Sequence, residues 1–412
     1  MQSTASLFFN GRVLSSRCSI IPESPQGLYM RIVCIAASFV PSKAANSIQV
    51  VKAAHALAEL GHDVSLFVPG NAAAAWEDIR QQYGLRQAFE IRWIKENLTF
   101  RRYDFAFKAV RAARRMEPDL VYTWVLQAAV LALWRRLPTV LELHDRVTGV
   151  FGPWLFRQFW RSPTQHRLLT NTDALKKALV AEHDLNPSAA EALVAPNGVE
   201  LERYQDLPSS VEARAALGLP DGFTVGYTGH FYTGRGIELM AELARALPEL
   251  RFLWVGGKPA DVDLWKDQLQ AAGIENVTLT GFVDNEILPH FQAAADVLLM
   301  PYGASIAGSG GGDSAEIASP MKMFEYMAAG RAIISSDLPV IHEVLNEETA
   351  VFCPPEDFES WKDALLALKA DPGRRHRLAR VARKTVEGYT WRSRAEQAIA
   401  GFVLDDEKNG LY

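Results

Sequence analysis

Met30-Arg31-Ile32-Val33-Cys34-Ile35-Ala36-Ala37-Ser38-Phe39 is a short and almost unbroken apolar run. A strand covered by helices on both faces reads this way, because it has no polar side to show. A polar loop, residues 41–46, comes next. After it, Ile48, Val51, Ala54, Leu57, Ala58 and Leu60 recur at helical spacing and stop at Gly61. Val64-Ser65-Leu66-Phe67-Val68 is a second strand-like run. Strand, crossover helix and strand in this order form a βαβ unit with parallel strands.

The same alternation continues outward. Strands are expected at 120–123, 139–143 and 167–170, with helical stretches between them. The pattern restarts after Pro220-Asp221-Gly222, with strands at 223–227, 252–255, 277–280, 297–300 and 332–335 and helical periodicity over 236–247. The chain therefore reads as α/β: two Rossmann-like, doubly wound halves of similar size, joined near residues 202–222 and facing across a cleft. Ligands of such folds lie against strand C-termini. A dehydrogenase is disfavoured. Residues 38–46 contain no glycine, so the G-x-G-x-x-G turn that admits a dinucleotide pyrophosphate is missing, and Gly229, Gly234 and Gly236 have a different spacing.

The chain has 412 residues, more than one hydrophobic core usually serves. Hydrophobic residues make up 49% and charged residues 22%, the balance of a globular protein. A net charge of −5 gives no reason to expect nucleic acid as a partner. Cys18, Cys34 and Cys353 are far apart and form no CxxC pattern, so neither a disulfide framework nor a zinc site is expected, and a reducing cytoplasm fits. No apolar stretch approaches the roughly 20 residues of a membrane span. Residues 1–29 lack the apolar region of a secretory signal and are read as a leader outside the fold.

Ser319-Pro320-Met321-Lys322-Met323-Phe324-Glu325-Tyr326-Met327-Ala328-Ala329-Gly330 carries the chemistry. It follows a strand and a loop dense in glycine (Gly308, Gly310, Gly311, Gly312). Serine as N-cap and proline at the first helical position predict a helix starting near Pro320, with Gly330 as the residue just past its end. The free N–H groups of such a terminus suit a phosphate. Lys322 and Glu325 share a face, a cation for phosphate beside a carboxylate for sugar hydroxyls. A nucleotide-sugar needs both.

Several passages together resemble the family-four group of retaining glycosyltransferases with the GT-B fold, over residues 30 to 400. They are Glu59-Leu60-Gly61-His62-Asp63-Val64, Leu141-Glu142-Leu143-His144-Asp145, Ala195-Pro196-Asn197-Gly198-Val199, Tyr227-Thr228-Gly229-His230-Phe231-Tyr232-Thr233-Gly234-Arg235-Gly236, Leu279-Thr280-Gly281-Phe282-Val283, the Ser319-to-Gly330 segment and Tyr389-Thr390-Trp391. The resemblance implies an acceptor half over 30–205, a donor half over 206–390 and a final segment, 391–412, returning to the first half. It also implies transfer of a hexose-type sugar from a nucleotide donor, UDP or GDP, with retention and without a metal. No cofactor is expected, since the nucleotide-sugar is a substrate.

Residue by residue, the resemblance assigns Arg235 and Lys322 to the diphosphate, where they would stabilise charge as it develops. Ser319, Pro320, Met321 and Gly229 would border the same group. Glu325 takes the place of the second glutamate of an E-x7-E pattern, which holds ribose hydroxyls; the alternative is a solvated carboxylate paired with Lys322. The first glutamate is replaced by Ile317, with Glu316 one position off, and backbone amides of Gly310, Gly311 and Gly312 are candidates for its role. His230 either contacts the diphosphate when protonated or lines the loop. His144 is assigned to the donor sugar or reaction centre, with Asp145 to orient its imidazole or touch the acceptor. Gly281 and Phe282 would border the base, and Lys43 and Asn46 are acceptor-loop candidates. Asp261-Val262-Asp263 imitates a metal-binding DxD and is read as coincidence.

Arg101, Arg102, Lys108, Arg111, Arg114 and Arg115 form a basic stretch, and Pro153-Trp154-Leu155-Phe156-Arg157-Gln158-Phe159-Trp160-Arg161 interleaves aromatics with arginine. Two readings stand: peripheral contact with an anionic membrane, or solvated helices with core-facing aromatics, the latter favoured. The acceptor class (glycan, lipid-linked or small molecule) and the oligomeric state are not legible. An epimerase or hydrolase on the same scaffold, and a non-catalytic sugar-nucleotide binder, are the competing functions.

Overall fold

The computed structural model describes residues 29–71, 74–97, 102–186, 188, 191–305 and 316–402. The leader reading, apart from Tyr29, and the candidates Gly310, Gly311 and Gly312 lie outside the described residues. In chain order the first half contains β1 (Arg31–Ile35), α1 (Ala45–Glu59), β2 (Asp63–Pro69), α2 (Trp76–Tyr83), β3 (Glu90–Ile94), α3 (Arg102–Arg114), β4 (Leu120–Thr123), α4 (Leu126–Leu133), β5 (Thr139–Leu143), α5 (Gly152–Trp160), β6 (His166–Thr170), α6 (Asp173–His183) and β7 (Ala192–Val194). A 3-10 turn, Leu201–Tyr204, and α7 (Ser210–Ala216) lead onward. The second half contains β8 (Thr224–Gly229), α8 (Ile237–Ala246), β9 (Arg251–Gly256), α9 (Pro259–Ala271), β10 (Val277–Gly281), α10 (Leu288–Ala293), β11 (Val297–Met300), α11 (Met321–Ala328), β12 (Ala332–Ser336), β13 (Val351–Cys353), α12 (Phe358–Ala370), α13 (Pro372–Thr385) and α14 (Trp391–Ile399).

The strands form two wholly parallel sheets, ordered β3-β2-β1-β4-β5-β6-β7 and β10-β9-β8-β11-β12-β13. The winding reverses between β1 and β4 in one sheet and between β8 and β11 in the other. Loops on the two sides of each reversal diverge and leave a crevice beyond the strand ends. Strands β3, β7 and β13 are additions to the sequence reading. The last two have three residues each and β3 is half exposed, so none presents a buried apolar run.

The expected helix at 319–330 is real but begins one residue later than Pro320. Pro320, in extended backbone, occupies the cap position, and no side chain caps the helix. Ser319 is not the N-cap. Its carbonyl accepts from Asn197 Nδ2 at 2.6 Å, and its hydroxyl oxygen accepts from the Asn197 N–H at 3.4 Å, so this serine ties the two halves together. Other ties are close by. Ile317, fully buried, packs with Leu141, Phe156 and Leu175 of the first half. Glu343 accepts from the N–H groups of Asp173 and Ala174, at 2.7 and 2.8 Å, at the start of α6. Helix α14 leaves the second half and buries Trp391, Ala395 and Ala398 among Ile32, Val51 and Leu57.

Candidate functional site

At the reversal in the second sheet, β8 ends on Gly229 and β11 runs into Pro301 and Tyr302. Lys322, in the first turn of α11, reaches into this corner. Its Nζ lies 3.8 Å over the Tyr227 ring and 5.6 Å from that of Tyr302. Gly229 has φ +144, a backbone conformation that favours glycine, and a Cβ there would sit 2.7 Å from that Nζ. Arg235, on the turn between β8 and α8, reaches the same corner, 5.2 Å from the centre of the Tyr302 ring. Its buried Nε has no hydrogen-bond partner.

Neither cation meets a carboxylate at ion-pair distance among the described residues. Burial pushes the Lys322 ammonium well below its usual range, the Arg235 guanidinium pushes it further, and Glu325 opposes both. Two positive charges facing aromatic rings and each other, with no counter-ion, make a site that gains from an incoming anion. In the first turn of α11 the Met323 N–H donates to the Pro320 carbonyl at 3.1 Å, and the N–H groups of Met321 and Lys322 add to it. His230 stacks on Tyr232 at 5.0 Å. Burial lowers its pKa and Lys322, Arg235 and Lys258 lower it again, which favours the neutral ring that lines the loop over the protonated one.

Glu325 does not pair with Lys322. Its Oε2 accepts from Gln292 Nε2 at 3.1 Å, and Gln292 Oε1 in turn accepts from the Tyr204 hydroxyl at 2.9 Å. Burial raises the Glu325 carboxyl above its usual range, against the pull of Arg203, Gln292, Lys322 and Lys52. The solvated-carboxylate alternative is therefore overturned. Lys52 comes from α1 and Arg203 from the 3-10 turn between the halves. The Lys52 ammonium pairs with Glu200, deep in the structure. Burial outweighs that pairing and lowers Lys52 to about 8. Glu200 feels the opposite balance, falling to about 2 because Lys52, His55 and Arg203 outweigh its burial.

On the facing half, His144 sits at the end of β5. Its Nε2 bonds to Glu142 and not to Asp145, whose Oδ1 accepts from the Arg146 N–H at 2.8 Å. Glu142 is fully buried, accepts as well from Gln49 Nε2 at 2.6 Å and from the Tyr122 hydroxyl, and forms an ion pair with Arg394 at 2.6 Å. Burial opposes its ionisation, but Arg394 and His144 overcome it and hold the carboxyl well below the usual range. Arg394 arrives on α14. Glu142 lies on β5 and His144 just past its end, two residues on, and their side chains meet, a pairing that the sequence reading passed over.

The halves meet over the site. Lys43, from the loop before α1, lies 3.8 Å over the Phe282 ring beyond β10, which brings an acceptor-loop candidate onto a donor candidate. Gly281 ends β10 beside it, and Asn46 is exposed in the first turn of α1. Glu316 is 81% exposed and pairs with Arg146 at 3.2 Å. Asp261 and Asp263 lie on α9, and no group of three or more metal-binding side chains occurs among the described residues. Gln292, Tyr204, Tyr302, Lys52 and Arg203 were missed in the sequence. They come from separate elements, and no local pattern marks them.

The family described as Glycosyl transferases group 1 matches residues 222–371, and Glycosyltransferase Family 4 matches residues 47–203. The chain is 30% identical to a D-inositol 3-phosphate glycosyltransferase of Saccharomonospora viridis, over 55% of this chain and 52% of the relative. It is 29% identical to a 2-deoxystreptamine glucosyltransferase of Streptomyces kanamyceticus, over 44% of this chain and 46% of the relative. The chain thus spans about half the length of these curated relatives. The crystal structure of Anabaena HepE in complex with UDP and glucose superposes with a TM-score of 0.68 at 18% identity, covering 93% of this chain and all of that one.

Proposed function

This chain belongs to the group 1 glycosyltransferases of GT-B fold, and we propose that it moves a hexose from a nucleotide-sugar to an acceptor with retention of the anomeric configuration. The observation that carries the proposal is the pair of cations without counter-ions, Lys322 and Arg235, both against the Tyr302 ring at the mouth of the second sheet. A nucleoside diphosphate leaving group gains charge as the C1–O bond to phosphate breaks. Preorganised cations in a recessed corner stabilise that charge more than they stabilise the intact donor. They occupy the role a divalent cation plays elsewhere, which supports metal-independent transfer. UDP is the nucleotide of choice, because structural neighbours hold UDP or UDP-glucose.

In this reading Glu325, half-buried and with its carboxyl raised, accepts from the ribose hydroxyls while Gln292 holds it in place. His144, steadied by Glu142, faces the donor sugar. The acceptor oxygen attacks C1 from the face the phosphate leaves, and its proton passes to the departing phosphate oxygen. The test is release of UDP from UDP-glucose over a panel of acceptors. Lys322→Met and Arg235→Met should each lower kcat/KM about 100-fold or more. Unchanged turnover in both variants would falsify the assignment. UDP release at full speed without acceptor would select a hydrolase, and tight binding without turnover across the panel a non-catalytic binder.

A further inference from the structure

The favoured reading of α5 as a helix with core-facing aromatics holds for Phe156 and Phe159, and for Trp160, half-buried against the same core, but not for Trp154. Trp154 is 50% exposed, Phe151 just before the helix 62%, Val150 91%, and Trp134 at the end of α4 57%. Tyr103 and Phe107 on α3 are also exposed. These side chains form one surface. Tyr103, Phe151, Trp154 and Leu155 line an open groove of about 370 Å³, and the Trp134 and Trp154 rings meet edge to face at 6.3 Å. Nearly half of the large exposed apolar side chains among the described residues are gathered here, where isolated ones would be unremarkable.

The rim is cationic. Between residues 102 and 161 ten lysines and arginines stand against five aspartates and glutamates, in a chain whose net charge is −5. On α3, Arg111 and Arg114 continue the face that carries Tyr103 and Phe107, at helical spacing. On α5, Arg157 and Arg161 continue the face that carries Trp154. None of these four has a carboxylate partner among the described residues, and Arg135 lies 5.8 Å over the Phe107 ring. Aromatic side chains ringed by unneutralised arginine match the boundary of an anionic bilayer, where rings sit at headgroup depth and guanidinium groups meet phosphate. A second copy of the chain fits poorly, because a two-fold contact through this face would set arginine against arginine.

We propose that this face, formed by α3, the end of α4 and the start of α5, is a docking surface for anionic lipid headgroups. It attaches the first half to a membrane without crossing it; no helix among the described residues is long and apolar enough to cross one. Residues 145–151 connect His144 at the end of β5 to Phe151, so the docked surface lies one loop away from the cleft. The inference is independent of the transfer reaction, since its readout is attachment alone.

The experiment is co-sedimentation of the full chain with vesicles of phosphatidylcholine, with and without phosphatidylglycerol, at low and high salt. Binding is expected only to the mixed vesicles and is expected to fall as salt rises. Arg157→Glu and Arg161→Glu should each weaken it at least about fivefold, and Trp154→Ser should weaken it while UDP-glucose affinity stays unchanged. Leu264→Ser, an equally exposed change on α9, should have no effect. Equal partition of wild type and the three patch variants overturns the proposal, as does absence of binding to mixed vesicles. Concentration-dependent dimerisation abolished by Trp154→Ser, or binding to nucleic acid in preference to vesicles, would assign the face to another partner and overturn it equally.

Discussion

Lys322 and Glu325 have opposite displacements with one first cause. Each is shielded from water, so the ammonium loses its proton more readily than usual and the carboxyl keeps its proton longer. A diphosphate diester has no ionisation of its own near neutrality, so UDP-glucose affinity should report both groups. It should weaken on the acid side as Glu325 takes up a proton, at a pH above 4.5, and on the alkaline side as Lys322 loses one, at a pH below 10.5. Calorimetric titration across pH checks this. Glu325→Gln should flatten the acid limb, and Lys322→Met should remove the alkaline limb while lowering affinity about 10- to 100-fold at neutral pH.

Among the elements, α14 does the most for its length. Its Arg394 closes the cage around Glu142, and its first residue, Trp391, donates its N–H to the Val199 carbonyl at 3.3 Å. Gly198 permits that approach, since a Cβ there would lie 2.5 Å from Trp391 N and 2.7 Å from Thr390 C. Gly198→Ala should therefore cost about 1–3 kcal/mol in urea unfolding. Glu142→Gln strands the buried Arg394 charge and should cost about 3–5 kcal/mol, part of it recovered when Arg394→Met is added. The pH dependence has a definite sign. The folded Glu142 carboxyl is depressed, so its contribution is present above 4.5, the unfolded value, and is lost as pH falls below that. The gap between wild type and Glu142→Gln should narrow in acid.

At the scale of the molecule, the halves share cores and not merely a linker. Trp391 belongs to the core of the first half although Tyr389, two residues before it, packs on that of the second, and Ile317 crosses in the same direction. Asn197 and Ser319 add a polar tie beside α11. Such sharing couples the two unfolding equilibria. Differential scanning calorimetry should show one transition, with calorimetric and van't Hoff enthalpies in agreement. Trp391→Ala, which removes the largest shared side chain at about 3–5 kcal/mol, should split the transition into two. Two independent transitions in the wild type would contradict the shared core.

The two sheets, their parallel sense and the positions of Lys322, Arg235 and His144 follow from short-range sequence. Apolar runs of strand length, helical periodicity and the placing of glycine and proline are local signals, each read within a dozen residues. The buried ion pairs and hydrogen bonds around the cleft were settled by tertiary structure alone. Lys52 and Glu200 are 148 residues apart and Tyr122 and Arg394 are 272 apart, and no periodicity links such pairs. The same holds for which aromatics of α5 face water, since α4 covers Phe156 and Phe159 and leaves Trp154 bare. Local sequence determines what a segment becomes; only packing decides what each side chain meets, because burial and partner are properties of the assembled surfaces.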